Sequence, residues 1–324
     1  MIDRRSFIGS LAALGAAAGV ARRAEAALRP LKVSPIRGGG VDEVLKVSPI
    51  EIKVGATKPF SALHVSDTHL NFWDVADFYG NAKKEEFFES RWVRFPQALN
   101  SLLATLDYAE ARGLPILHTG DLLDWNTRGN ANLCCRVLKG VDMFYALGNH
   151  EYHSSAGKMP EMTRDEKRAN VERFVRNDLT VASRVVNGVN LVAFDNGETN
   201  LREDTVARVK AEFAKGLPVV LLCHIPPTYT AEFLENAVAM RRQILLGQGE
   251  SEESIAKLPR PRPVDELYDA ATRSFYDWLR GQGSLKVVLC GHTHVEEAGR
   301  FSDTAEMYVA GGNYEGHVHE ITFS

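Results

Sequence analysis

Cysteine is scarce, with four in 324 residues at no spacing that a disulfide framework would use, so a small cross-linked scaffold is excluded. Cys223 and Cys290 fall inside apolar runs, where cysteine behaves as a small hydrophobe. An excess of positive charge is missing too. Thirty-eight Lys and Arg face 42 Asp and Glu, for a formal charge of −4, which provides no basic field for a nucleic-acid backbone, and a DNA or RNA polymer is not an expected partner. The apolar stretch Phe7 to Val20 is too short and too rich in Gly and Ala for a good membrane span. What remains, 44% apolar and 25% charged residues, is the composition of one large globular domain.

Residues 1–26 stand apart from that domain. Arg4-Arg5 precede the apolar stretch, and Ala24-Glu25-Ala26 offers a small-residue cleavage site. Arg4-Arg5-Ser6-Phe7-Ile8 looks like a twin-arginine export signal, with departures at Asp3 and Gly9, and implies delivery to a bacterial periplasm with no membrane span after processing. An uncleaved anchor is the alternative. No cysteine follows the cut, so lipid attachment there is unsupported. Residues 27–49 read as a linker holding two copies of one hexapeptide, Leu31–Ile36 and Leu45–Ile50, and the domain is expected over 50–324.

Within the domain, Ile50 to Val54 alternates as a half-exposed edge strand would, and Phe60 to Ser66 reads as a buried strand. The aromatic stretch from Asn71 to Gly80 suits a packed-down loop anchor or a pocket wall, and the irregular region is taken to extend to residue 95. Helices are expected over Phe95–Arg112, Thr127–Lys139, Arg202–Lys215 and Asp265–Arg280, and a charged one from the capping box Thr163-Arg164-Asp165-Glu166 to about Asp178. Asn187-Gly188 between Val181–Val186 and Val189–Phe194 signals a hairpin. The excursion 225–263 is the longest between blocks and reads equally as a cap or a surface elaboration. Strands over Met307–Ala310 and Val318–Phe323 close the chain.

Five apolar runs share one device: each ends in residue types that bind metals. Leu63 to Val65 leads into Ser66-Asp67-Thr68-His69. Ile116 to His118 leads to Gly120-Asp121-Leu122-Leu123-Asp124, and Phe144 to Leu147 to Gly148-Asn149-His150-Glu151. Val219 to Cys223 stops at His224, and Val287 to Cys290 at Gly291-His292-Thr293-His294. Ligands held at strand ends suit the carboxyl edge of an α/β sheet.

The series Asp-x-His, Gly-Asp-x-x-Asp, Gly-Asn-His-Glu, His and Gly-His-x-His resembles the calcineurin-like metallophosphoesterase superfamily, with all five blocks present between residues 67 and 294. The resemblance implies an α/β fold, a four-layer αββα sandwich of two mixed sheets flanked by helices, consistent with the strand and helix alternation. It implies two divalent or trivalent transition ions, Mn, Fe or Zn. Asp67, His69 and His294 would hold one, Asn149, His224 and His292 the other, and Asp121 would bridge them. It also implies His150 as general acid, oriented by Asp124.

The chemistry accounts for the residue types. A phosphate ester repels nucleophiles and has a poor leaving group, and two metal ions about 3.5–4 Å apart clamp the ester and ionise a bound water. Two divalent ions with Asp67 and Asp121 sum to about +2, which draws in an anionic phosphate. The expected function is phosphodiester or small-molecule phosphomonoester hydrolysis by metal-activated hydroxide, with pyrophosphate or nucleotide hydrolysis as the alternative and a catalytically silent metal-binding module as the rival of another class. Trp125 and Asn126 stand where the superfamily's Ser/Thr protein phosphatases carry a phosphate-gripping Arg, so a small or medium phosphate ester is the expected substrate, leaving the oligomeric state open. Arg91, Arg94 and Arg128 are candidates to supply that grip. His64, His118, His153, His317 and His319 fall outside the pattern and read as structural or exposed.

The leader generates its own test. Changing Arg4-Arg5 to Lys-Lys is expected to trap the precursor in the cytoplasm, read by fractionation; normal periplasmic delivery of the variant would count against twin-arginine export.

Overall fold

Runs that are apolar at every position need cover on both faces, and the fold provides it by placing them between layers. The computed structural model describes residues 44–74, 77, 82–153, 162–198, 200–228 and 268–324. The export segment 1–26, the first hexapeptide copy, residues 75, 76 and 78–80 of the aromatic stretch and nearly all of the 225–263 excursion lie outside the described residues.

Among the described residues there are two mixed sheets. The first holds β1 (Lys46–Ile52), β2 (Phe60–Val65), β3 (Ile116–His118), β4 (Met143–Tyr145) and β11 (His317–Phe323), in the order β1-β11-β2-β3-β4. The second holds β5 (Val181–Val186), β6 (Val189–Phe194), β7 (Val219–Leu222), β8 (Leu285–Cys290), β9 (Glu297–Arg300) and β10 (Glu306–Val309), in the order β5-β6-β7-β8-β10-β9. β2, β3 and β4 run parallel, as do β6, β7 and β8, so each group ends along one sheet edge.

Side-chain alternation sorts these strands into three cores. Leu117, Phe144, Val220, Leu222, Val287 and Leu289 meet between the sheets. The opposite face of the first sheet, with Leu63, Val65 and Ile116, is covered by α2 (Ala98–Arg112) and α3 (Arg128–Val137). The opposite face of the second, with Leu221, Val288 and Cys290, is covered by α5 (Glu203–Phe213) and α6 (Ala270–Arg280). The layers are therefore α, β, β, α. α1 (Ala82–Arg94) and α4 (Arg164–Glu172) complete the described α-helices, and two 3-10 turns span His150–Tyr152 and Asn313–Glu315.

Local signals set several boundaries. Thr127 caps α3 by accepting from the Asn130 N–H at 3.0 Å, and Thr163 with Glu166 forms the capping box of α4. Gly113, at φ 65°, ends α2 in the left-handed conformation. Asn187 and Gly188, at φ 47° and 83°, make the β5–β6 turn.

Other boundaries need correction. The edge strand expected from Ile50 begins at Lys46, because the second hexapeptide copy pairs in parallel with β11, and Pro49 is tolerated on a strand with one neighbour. The region taken as an irregular aromatic loop to residue 95 contains α1, and the helix expected from Phe95 starts at Ala98, after Phe95-Pro96-Gln97. Proline ahead of the first turn favours a new helix over the continuation of an old one. α4 ends at Glu172, short of Asp178, whose carboxylate instead accepts from the Thr180 N–H at 2.7 Å and opens β5. β9 had no sequence signal; Ala298 and Gly299 give it little side-chain pattern.

The inter-sheet core is the most sensitive part of this architecture. Leu289, at 0% exposure, is expected to cost about 2–5 kcal/mol of unfolding free energy as Leu289→Ala. Val93, at 76% exposure, should stay within about 0.5 kcal/mol as Val93→Ala. Denaturant titration checks both, and similar losses would show that the sheets do not pack as described.

Candidate metal centre

Each parallel strand stops just short of the residue it presents. β2 ends at Val65, β3 at His118, β4 at Tyr145, β7 at Leu222 and β8 at Cys290. The segments that follow carry Asp67 and His69, Asp121 and Asp124, Asn149 and His150, His224, and His292 and His294. Because the two sheets pack face to face, these segments converge.

The backbone there is unusual. Among the described residues six non-glycine residues have positive φ, and five of them are Asp67, His69, Asp121, His292 and His294, between 50° and 76°. Each such residue costs of order 1–3 kcal/mol unless its surroundings hold it there. The loops do so by bonding to one another. Asp67 N–H donates to the Gly120 carbonyl at 3.0 Å, His69 N–H to the Asp121 carbonyl at 2.9 Å, and Gly291 N–H to the His224 carbonyl at 3.0 Å. Glycine is required at the crossing points: a Cβ on Gly291 would lie 1.7 Å from Ser66 Oγ, and one on Gly148 would lie 2.2 Å from Asp121 Oδ1.

Two groups of donor atoms result. In one, His69 Nε2 and His294 Nε2 are 2.9 Å apart, and Asp67 Oδ1 lies 3.7 and 3.3 Å from them. In the other, Asn149 Oδ1 lies 3.0 Å from His224 Nε2 and 2.9 Å from His292 Nδ1, and Asp121 Oδ2 lies 3.2 Å from His224 Nε2. Asp121 Oδ2 also lies 3.8 Å from His69 Nε2 and 4.0 Å from His150 Nε2, which puts it between the groups. All seven residues expected as ligands are thus brought together, with His150 beside them.

The residues fit cations. Each carboxylate is tied to the backbone by one oxygen and turns the other toward the imidazoles: Asp67 Oδ2 accepts from His292 N–H and Asp121 Oδ1 from His150 N–H, both at 2.8 Å. Asp67 Oδ1 is buried with no hydrogen-bond partner, an orphan that a metal would satisfy. Ionisation tells the same story. Burial works against both carboxylates, but the imidazoles around them hold Asp67 and Asp121 well below the usual carboxylate range. Burial likewise opposes charge on His69 and His224, yet Asp124 and Asp67 lift the first to about 10 and Asp121 lifts the second to about 9. Burial and the neighbouring His224 push His292 down to about 3. Positive charge is wanted between these carboxylates, and the mixed oxygen and nitrogen donors suit borderline transition ions.

His150 is held differently from expectation. Its Nδ1 lies 2.7 Å from the Asp124 carbonyl oxygen, to which it donates, and 3.4 Å from the carboxylate Oδ1. The Asp124 carboxylate faces His69 Nδ1 at 3.1 Å and the Arg91 guanidinium instead. Burial pushes His150 down to about 4, with Asp121 pulling the other way. The aromatic stretch packs against α3 and α1: Asp77 accepts from the Arg128 and Gly129 N–H groups of α3, and Trp73 stacks on Phe88 of α1 at 5.6 Å. His64, His118 and His319 are buried and hydrogen-bonded within the fold, His317 pairs with Glu296 at 3.1 Å, and His153 is exposed.

Comparison with known proteins adds to this geometry. The family model for calcineurin-like phosphoesterases matches residues 60–296. An uncharacterized metallophosphoesterase of Campylobacter jejuni is 28% identical over 117 residues, 35% of this chain and 30% of the relative, so the match spans under a third of that protein. Among solved structures, a dimetal phosphatase from Danio rerio is similar at a TM-score of 0.45 and 11% identity, over 80% of this chain and 89% of that one. The phosphopantetheinyl hydrolase of Mycobacterium tuberculosis is similar at a TM-score of 0.37 and 13% identity, over 83% and 91%.

Two residues outside the expected set brace the centre. Arg91 is one; the other is Glu151, the last member of the Gly-Asn-His-Glu block. Its carboxylate accepts from the N–H groups of Asp121 and Leu123 at 3.0 Å and of Gly148 at 2.8 Å, stitching two ligand loops together. Burial pushes Glu151 up to about 7, and those three N–H donors favour the charged form against it. Glu151→Ala would strand three buried donors and is expected to cost about 3–5 kcal/mol. Thermal or denaturant unfolding of the metal-free protein reads this, and a loss below about 1 kcal/mol would deny Glu151 the bracing role.

Proposed function

Because the chain belongs to the calcineurin-like phosphoesterase family, we propose that it is a dinuclear metal-dependent phosphoesterase that acts on a small or medium phosphate ester. The observation that carries the reading is the pair of donor groups on either side of Asp121 Oδ2, at 3.2 Å from His224 and 3.8 Å from His69. In this reading Asp67, His69 and His294 hold one ion, Asn149, His224 and His292 hold the other, and Asp121 is shared. Bound there, two transition ions such as Mn, Fe or Zn would neutralise the phosphoryl oxygens and make water a nucleophile near neutral pH. The Arg4-Arg5 segment supports periplasmic delivery.

The protein's own groups do the rest. With Nδ1–H committed to the Asp124 carbonyl at 2.7 Å, His150 has a single tautomer and turns Nε2 toward the crevice. A phosphate anion bound against Nε2 favours the imidazolium that burial alone disfavours, since opposite charge raises the affinity for the proton. His150 then donates from Nε2 to the departing oxygen. A silent binding module would have no use for this oriented proton donor beside a shared carboxylate.

The test separates donor from ligand. Asp121→Ala should leave the site poorly metallated, because it takes a ligand from both positions. His150→Ala should keep its metals and lose about 10²–10⁴-fold in kcat/KM on an ester of an alkyl alcohol, but far less on a nitrophenyl ester, whose leaving group needs no proton. Kinetics and metal content on the same samples read both. Equal losses on the two esters, or metal loss like that of Asp121→Ala, would take the general-acid role from His150, and a wild-type protein with two metals and no activity on any mono-, di- or pyrophosphate ester would end the phosphoesterase reading.

A further inference from the structure

Arg91 lies on α1, in the region the sequence pattern left irregular, and it reaches the centre. Its Nε donates to Asp124 Oδ2 at 2.8 Å and one terminal nitrogen donates to Oδ1, a two-point fork on a carboxylate with 0% side-chain exposure. Arg94 stays exposed over the Phe95 ring, and Arg128 is exposed. A single cation could contact a carboxylate from many directions, whereas a fork fixes the plane of the group.

That plane matters because Asp124 serves two imidazoles. Its Oδ1 lies 3.1 Å from His69 Nδ1, and its carbonyl oxygen 2.7 Å from His150 Nδ1. With Nδ1–H given to Asp124, Nε2 is the His69 atom that faces the crevice, where a metal would take the place of its proton. Phe95 completes the arrangement, stacking on His69 at 4.6 Å with 7° between planes while Arg91 sits 5.0 Å over the ring.

We infer that Arg91 is a positioning residue for the metal centre: acting through Asp124, it orients His69, where a direct grip on substrate phosphate would be the other use of an arginine so placed. The inference rests on the reading of Asp67, His69 and His294 as metal ligands. Its neutralising charge has a second effect, since the Arg91–Asp124 pair adds nothing to the net charge of the crevice.

The test is Mn²⁺ affinity of the full chain by chelator competition, with folding followed by circular dichroism. Partners that orient a ligating histidine typically contribute about 10–100-fold in metal affinity, and Arg91→Ala should lose that much. Arg91→Lys, which keeps the charge without the fork, should fold as wild type and still bind Mn²⁺ more weakly. Since Arg91 acts through Asp124, the double variant with Asp124→Asn should bind within about twofold of Asp124→Asn alone. Arg94→Ala, on the same helix and over the same ring, should bind as wild type. Arg91→Ala within about twofold of wild type, or losses that multiply in the double variant, would overturn the inference. So would weakened inhibition by inorganic phosphate in Arg91→Ala at unchanged Mn²⁺ affinity, the signature of a direct grip. None of the metal measurements requires turnover, so absence of hydrolysis in the wild type would remove the proposed function and leave this inference standing.

Discussion

Two carboxylates, Asp67 and Asp121, at 0% and 1% exposure, are held in one crevice, and the rest of the centre answers to that. Uncompensated charges so placed would cost several kcal/mol. Each carboxylate has one oxygen on a backbone N–H, which leaves the other turned toward shared positive charge. Asp67 and Asp121 come from the first sheet, whereas His224, His292 and His294 come from the second. Compensation of the carboxylates therefore joins the sheets at the edge where the apolar inter-sheet core gives out. Whatever supplies the positive charge, protons on His69 and His224 or bound cations, favours the folded chain, because the unfolded chain has no such site.

The same demand explains the left-handed residues. An extended backbone past a strand end would keep residues i and i+2 on one face but carry them onward along the strand axis. At Asp67 and His69, and again at His292 and His294, left-handed φ values of 50–76° curl the chain at the sheet edge instead. Glycine would relieve the strain but carries no ligand atom. The hydrogen bonds between loops hold the strain instead, from Asp67 to Gly120, His69 to Asp121 and Gly291 to His224, and this is why Gly120, Gly148 and Gly291 cannot accept a Cβ where the loops cross.

How much of this could be read from residues alone follows from the same geometry. A strand that must be buried on both faces and end in a ligand leaves a contiguous record, so β2, β3, β7 and β8 and every candidate ligand were legible. The hairpin at Asn187-Gly188 was legible because positive φ restricts residue type. Bracing leaves no such record. Arg91 comes from α1, 33 positions before its partner Asp124, and nothing in its neighbours distinguishes it from Arg94. Glu151 was visible as part of a block, but its task, collecting N–H groups from the loops after β3 and β4, exists only once those loops are side by side. The start of β1 was misjudged for a related reason: its pairing partner β11 lies at the other end of the chain.

Asp124 is where the two kinds of information meet. Its place in the Gly-Asp-x-x-Asp block is local, three residues past Asp121, yet its carboxylate is claimed by a guanidinium from outside the block and its carbonyl by His150. Had the carboxylate been left unpaired, it would add a negative charge beside a crevice that already holds the buried carboxylates of Asp67 and Asp121. Asp124 Oδ1 also lies 3.4 Å from His150 Nδ1, where its charge favours the imidazolium against the burial that disfavours it. Arg91 offsets that charge, and the closer contact of Oδ1, at 3.1 Å, is with His69. The carboxylate is placed to fix the tautomer of His69 at 3.1 Å, while the Asp124 carbonyl fixes that of His150 at 2.7 Å.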